Sequence, residues 1–209
     1  MKRLTAPAIL LLAIALLIPA CASLKSISDA LTNLGKLQFK LNNVTNMRVN
    51  GIDISRLNSK SNLGFADAAR LAAVVAQGQL PVDFTLNVLA LNPNNGSGGT
   101  QATPLFLRKM DWTLLIDERT TISGSMNQRL EIPGNGQSTT IPLTLSLDVF
   151  KFFKDKGYED VANMLFAIGG ASGSASRLKL TARVTVETPL GMFEYPNELT
   201  IVDRQFTNK

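Results

Sequence analysis

Histidine is absent from the 209 residues, cysteine occurs once, at Cys21, and aromatic side chains make up only 6%, with a single tryptophan. Without histidine there is no imidazole general base, no Ser/His or Cys/His couple and no usual zinc ligand. Most hydrolase mechanisms are excluded, and the chain is not expected to be an enzyme. One cysteine rules out an intrachain disulfide and a thiolate metal cluster. Charge is modest: 21 Lys and Arg stand against 16 Asp and Glu, a net +5. No stripe of Lys and Arg with interleaved aromatics is present, so nucleic acid is not an expected partner. The remaining composition, 45% hydrophobic and 18% charged, is ordinary for a globular chain and suits one domain.

Lys2 and Arg3 precede the apolar run Ile9 to Ile18, which Pro19-Ala20-Cys21 follow. Charged, apolar and small-residue regions in that order form a secretory signal. The run is shorter than the ~18–20 residues a spanning helix needs, and Pro19 would end it. Ile18-Pro19-Ala20-Cys21 resembles the bacterial lipobox, with a branched apolar residue three before the cysteine and a small residue directly before it. Proline departs from the small residue usual at the middle position. The resemblance implies a signal peptide over 1–20 and an acylated Cys21 at the start of the mature chain. Each buried acyl methylene contributes ~0.8 kcal/mol, so several chains hold a protein on a bilayer almost permanently. Ala22 is not the aspartate associated with inner-membrane retention, which points to the outer membrane of a bacterial envelope, facing the periplasm.

Leu24, Ile27, Leu31 and Leu34 recur at helical spacing, so residues 21–36 read as a lipidated tether or short amphipathic helix. From Leu37 the period becomes two, with a short second strand near Val49 to Ile54 and Asn50-Gly51 as a bulge or turn. The alanine-rich stretch Phe65 to Gln77 predicts a helix, with Asn62 or Ser61 as its cap and Gly78 as its stop. Four strongly alternating runs follow, around Val82–Ala90, Met110–Ile116, Leu143–Val149 and Leu178–Val186. A weaker strand is expected over Thr121–Ile132, a last one over Leu199–Phe206, and a second helix over Asp148–Ile168 with Gly157 interrupting it. Turn-forming runs such as Asn92-Pro93-Asn94-Asn95-Gly96 and Pro133-Gly134-Asn135-Gly136 separate them. One-faced apolar strands joined by such turns imply a mostly β chain of two antiparallel sheets packed face to face, with one or two inserted α-helices.

The strand Phe84 to Leu91 ending in Asn92-Pro93-Asn94 resembles the late embryogenesis abundant type 2 proteins, the group that includes the water-stress and hypersensitive-response domain. The opening run Leu37 to Val44 with Val49 to Ile54, and the later Ile141 to Asp148, are similar to strands of its bacterial members. The alanine-rich helix and the insertion around Phe150 to Ile168 depart from the compact plant form and suggest the longer bacterial lipoprotein branch. The resemblance covers about Leu37 to Val202. It implies an immunoglobulin- or fibronectin-III-like antiparallel β-sandwich over 37–209, a link to desiccation and stress tolerance, no catalytic residues and no cofactor. Read from chemistry alone, Asn92, Pro93 and Asn94 close a strand end.

Other groupings have plain structural readings. Gly169-Gly170-Ala171-Ser172-Gly173-Ser174 lacks the lysine of a phosphate loop and reads as a flexible connection. Asp53, Asp67, Asp111, Asp117 and Glu118 show no spacing that selects a catalytic pair. Lys151, Lys154 and Lys156 are interleaved with acids and read as a solvated helix face, while Phe150, Phe152, Phe153 and Trp112 read as core. The expected role is a non-enzymatic, membrane-anchored periplasmic lipoprotein serving envelope integrity or stress protection. The alternatives are a carrier of lipid or another apolar ligand, and a docking subunit of an envelope assembly.

Overall fold

A computed structural model describes residues 35–54, 64–96, 102–168, 176–188 and 191–206. The leader, Cys21, the helical spacing of Leu24 to Leu34, the caps Asn62 and Ser61 and the glycine-rich connection after Ile168 lie outside the described residues.

Alternation gives strands wherever one face can be buried. β1 spans Gln38–Val49, β2 Ile52–Asp53, β3 Pro81–Leu91, β4 Leu105–Ile116, β5 Arg119–Met126, β6 Leu130–Ile132, β7 Ser138–Asp148, β8 Ser176–Thr188, β9 Gly191–Glu194 and β10 Leu199–Phe206. One sheet has the order β2-β1-β3-β7; the other runs β10-β8-β4-β5, with β6 also on β4 and β9 also on β8. Every pairing is antiparallel. The chain is therefore a mostly β, two-sheet antiparallel sandwich with two inserted helices among the described residues, as the periodicity predicts.

The inward rows fill the space between the sheets. Val82, Leu86, Val88 and Ala90 of β3 face a core that also holds Met110, Leu114 and Ile116 of β4, Ile141 and Leu145 of β7, and Leu178, Leu180, Val184 and Val186 of β8. Each of these is at most 1% exposed. Burying a side chain of this size contributes about 1.5–3 kcal/mol against leaving it in water, and the sum holds the sheets together.

Several expectations are corrected by local chemistry. The strand that opens near Leu37 runs without a break to Val49: β1 passes through two bulges, between Leu41 and Asn43 and between Thr45 and Arg48, which shift the alternation and hide its length. The expected second strand reduces to β2, joined to β1 by a two-residue turn in which Asn50 (φ 49°) and Gly51 (φ 76°) both take the left-handed conformation of a type I′ hairpin. The weaker strand over Thr121–Ile132 divides into β5 and β6. Strand β9 lies where no strand was expected.

Helix α1, Phe65–Ala76, forms as predicted and ends in paired bonds, Gly78 N–H to Val75 O (2.9 Å) and Gln79 N–H to Val74 O (3.2 Å), the pattern of a Schellman stop. Its start at Gly64 has no side-chain cap. It buries only Leu71, and Phe65 is 91% exposed. The second helix does not begin at Asp148. That carboxylate accepts from Leu80 N–H (2.8 Å) and Phe150 N–H (3.2 Å), which caps a single 3-10 turn, Val149–Lys151. The chain then loops, and α2 covers only Tyr158–Ile168, entered after Gly157. Lys151 sits in the 3-10 turn, and Lys154 and Lys156 on the loop before α2, so the three lysines do not share a helix face.

Candidate functional site

Asn92, Pro93 and Asn94 follow the last residue of β3, where Pro93 has no N–H to continue a ladder. Asn92 is fully buried. Its Nδ2 donates to Thr103 O (3.0 Å), on the segment leading into β4, and its Oδ1 accepts from Asn94 N–H (3.0 Å) in an Asx turn. One side chain thus ends β3 and fastens the chain that crosses to the other sheet. The amide is satisfied at both atoms and turned inward, which is the geometry of a strand closure.

Among the described residues the space between the sheets is occupied by one buried apolar cluster. The space lined by Val49, Ile54, Leu71, Leu80, Tyr158 and Phe166, where α1 and α2 meet the β1–β2 hairpin, has a volume of about 40 Å³. One water's share of liquid is about 30 Å³, and small-molecule pockets run to about 300–1,000 Å³. Phe84 and Phe153 occupy the core at 2% and 0% exposure, Trp112 lies in it at 7%, and Phe150 and Phe152 pack against it. The larger spaces are grooves along the two seams where sheet edges meet: about 300 Å³ beside β1 and β10, and about 330 Å³ beside β5 and β7.

On their outer faces the sheets carry rows of neutral hydrogen-bonding side chains among charged ones such as Lys109, Asp111, Lys179 and Arg183, and Thr85 is covered by its neighbours. On the four-stranded sheet Thr45, Thr85 and Thr144 stand in one cross-strand row. In the next, Asn87 Nδ2 donates to Asn43 Oδ1 (2.8 Å) and Thr45 Oγ1 (3.0 Å). On the other sheet Thr200, Thr181, Thr113 and Ser123 form a row across four strands, with the last two hydroxyls 3.0 Å apart.

The five carboxylates considered above do not gather at one point. Asp53 is on β2 and Asp67 on α1, where it pairs with Arg70 at 3.9 Å. Asp111 lies on β4, between Lys109 Nζ (2.6 Å) and the Ser125 hydroxyl (2.7 Å). Both hold its carboxyl below the ordinary range, Lys109 most, and Asp111 in turn raises Lys109. Asp117 and Glu118 form the β4–β5 turn, both with positive φ. Asp117 accepts from Arg177 N–H (2.9 Å), and Glu118 pairs with the Arg177 guanidinium (2.9 Å). Among the described residues no three His, Cys, Asp or Glu side chains are placed to hold a metal ion.

Two arginines fasten this hairpin in ways the sequence analysis did not anticipate. Arg119 grips Asp155 with both guanidinium nitrogens, donates to Phe152 O (3.0 Å) and lies 5.4 Å from the Phe153 ring centre. Arg177 is bidentate to Asp203 at 2.7 Å for each bond. These hydrogen bonds depress the Asp155 and Asp203 carboxyls and raise the arginines. Lys156 reaches Asp117 at 3.5 Å and stands 6.0 Å from the Phe153 ring centre. Lys156, Arg119 and Phe153 therefore act together in docking the loop before α2 onto the β4–β5 hairpin. Partners separated by 36 and 26 residues leave no local signal.

No family model and no curated protein matches the chain. Among solved structures it is similar to a protein from Archaeoglobus fulgidus, with 13% identity and a TM-score of 0.35 over 62% of this chain and 86% of that one. It is also similar to the solution structure of a proposed late embryogenesis abundant (LEA) protein, with 13% identity and a TM-score of 0.42 over 100% of this chain and 95% of that one. At such TM-scores neither likeness carries an argument about function.

Proposed function

We propose that the chain is a membrane-anchored periplasmic lipoprotein of the late embryogenesis abundant type 2 kind, a non-enzymatic module of the bacterial envelope that supports its integrity under drying or osmotic stress. The observation that carries this reading is the filled core of the described residues: where the helices meet the β1–β2 hairpin the space is about 40 Å³, so the domain has its outer faces and edges to work with. Those faces carry rows of Thr, Asn and Ser beside charged residues such as Lys109, Asp111, Lys179 and Arg183, able to exchange hydrogen bonds with water or a polar surface. The leader supplies the address. Lys2-Arg3, the apolar run and Ile18-Pro19-Ala20-Cys21 support acylation at Cys21, and Ala22 supports the outer membrane. The Asn92 closure supports the family reading, because the motif residues terminate β3 and set the crossing between sheets.

The mechanism is that of a tethered spacer: lipid fixes one end and the rigid sandwich holds polar surface at the bilayer. Deleting the gene and then drying or osmotically shocking the cells tests the role. The deletion strain should lose viability and leak periplasmic contents, with rescue by the wild-type chain and not by Cys21→Ser. Unchanged survival and permeability would contradict it.

A further inference from the structure

A sheet edge exposes a row of unpaired backbone N–H and C=O groups, and folded chains protect such rows with proline, charge, bulges or covering strands. Three of the outer strands here carry these devices. β7 contains Pro142. β10 has a bulge between Thr200 and Val202 and the charged pair Asp203-Arg204. β1 has two bulges, Lys40 and Arg48, and β2 covers its end. β5 has a bulge at Thr121, between the pairs Leu114↔Ile122 and Leu115↔Thr120, but the stretch beyond it, Ile122-Ser123-Gly124-Ser125-Met126, contains no charge, no proline and no bulge. Its register with β4 is unbroken from Met110↔Met126 to Leu114↔Ile122. β6, which also pairs with β4, lies past this stretch.

Beside that edge the two sheets part, leaving the seam groove of about 330 Å³. Ile122, Leu147 and Phe152 give it apolar walls, and Asp148 and Lys151 also line it. Asp148 accepts both backbone N–H groups it caps at Oδ1 and keeps its negative charge. Lys151 makes no ion pair among the described residues, so the groove offers an ammonium as well as the capping carboxylate.

We propose that the β5 edge is a strand-addition site for an extended segment of another polypeptide. The segment pairs its backbone with Ile122 to Met126, turns every second, apolar side chain toward Ile122, Leu147 and Phe152, and sets a carboxylate against Lys151. Period-two pairing of this kind draws affinity from main-chain bonds and specificity from alternate side chains. A polypeptide fits better than an acyl chain because only a backbone answers the open row of donors and acceptors. The inference stands on the sandwich geometry alone and is independent of acylation or envelope location.

The test uses the full chain in detergent micelles. The probe is a capped octapeptide library alternating valine or isoleucine with threonine, one glutamate placed at each position in turn, with lysine counterparts and hexanoate alongside. Amide exchange should slow at alternate β5 residues with the best glutamate peptides. Ser123→Lys, at an exposed edge position, should weaken them about tenfold or more. Lys151→Glu should weaken them about two- to fivefold and strengthen the lysine counterparts to a similar degree. Unchanged emission from Trp112 certifies the fold of each variant, and the charge reversal at Lys151 leaves the β4–β5 ladder untouched. The proposal is overturned if no peptide protects β5, if protection maps elsewhere, or if Ser123→Lys binds as well as wild type. It is equally overturned if hexanoate alone occupies the groove, or if the free chain dimerises through β5.

Discussion

Replacing Gly124 by alanine should destabilise the protein, although a glycine in a strand interior is ordinarily a liability. Removing that liability should gain about 0.5–1 kcal/mol through backbone entropy. Here the pairing of Trp112 with Gly124 lays the indole across the glycine, and a Cβ built there would lie 2.2 Å from Cζ2, 2.7 Å from Cε2 and 2.8 Å from Cη2 of Trp112. Three indole atoms within that range cannot be relieved by a side-chain twitch, because the ring is 7% exposed and held by the core. Overpacking of this kind costs about 1–3 kcal/mol, so the net effect is a loss of about 0.5–2 kcal/mol. In a chain of this size each 1 kcal/mol lowers Tm by about 2–4 °C. Urea titration should show a lower midpoint at unchanged slope. The sole tryptophan gives an independent readout: its emission should shift to the red as the indole is pushed outward. Trp112→Phe combined with Gly124→Ala should be less harmful than the two losses summed, since removing the ring relieves the clash. A Gly124→Ala protein as stable as wild type, with unshifted emission, would refute the packing argument.

Further outcomes follow from the same contacts. Asn92→Ala removes the side-chain bonds to Thr103 O and the Asn94 N–H from a part-buried turn and should cost about 1–3 kcal/mol in urea titration, whereas Asn94→Ala should cost less than half as much. Glu118 holds φ 62° in the β4–β5 turn, so Glu118→Gly should raise the stability by about 1 kcal/mol, read as a higher urea midpoint, despite loss of its exposed ion pair with Arg177. Asp111, Asp155 and Asp203 have carboxyls depressed in the folded state, so the stability they contribute is present above the ordinary carboxylate range and lost as pH falls through their folded values. The urea midpoint should therefore be flat near neutrality and fall in acid, less steeply in Asp203→Asn. Lys109 runs the other way: its ammonium is held above its ordinary value, and its contribution is lost only as strongly alkaline pH passes the folded value. Both arms should shrink in high salt, because the groups are exposed.

The sandwich was legible because burial of one face writes itself into every second residue. β3, β4, β7 and β8 all show it, and α1 is legible for the opposite reason, its alanine-rich run having no alternation. Legibility failed where geometry departs from a simple period. The bulges in β1 shift the apolar positions, so a twelve-residue strand reads as two fragments. β9 is four residues long with one half-buried side chain, too little for a pattern. The break after Asp148 is set by a bond to Leu80, 68 residues earlier. The same holds for the surfaces. Asn92 was readable as a strand end from its own chemistry, but its hold on Thr103 was not. The Arg119–Asp155 clamp and the seam beside β5 arise only when distant segments meet.

The account's central claim is that the sandwich encloses nothing and works by its outer faces and edges. Native mass spectrometry of the mature full chain, released gently from envelope membranes, tests this most directly. The mass should equal the chain from Cys21 plus covalent acyl groups, and denaturation should release no further apolar species. A non-covalent lipid or metabolite bound in stoichiometric amount, set free on unfolding, would contradict it.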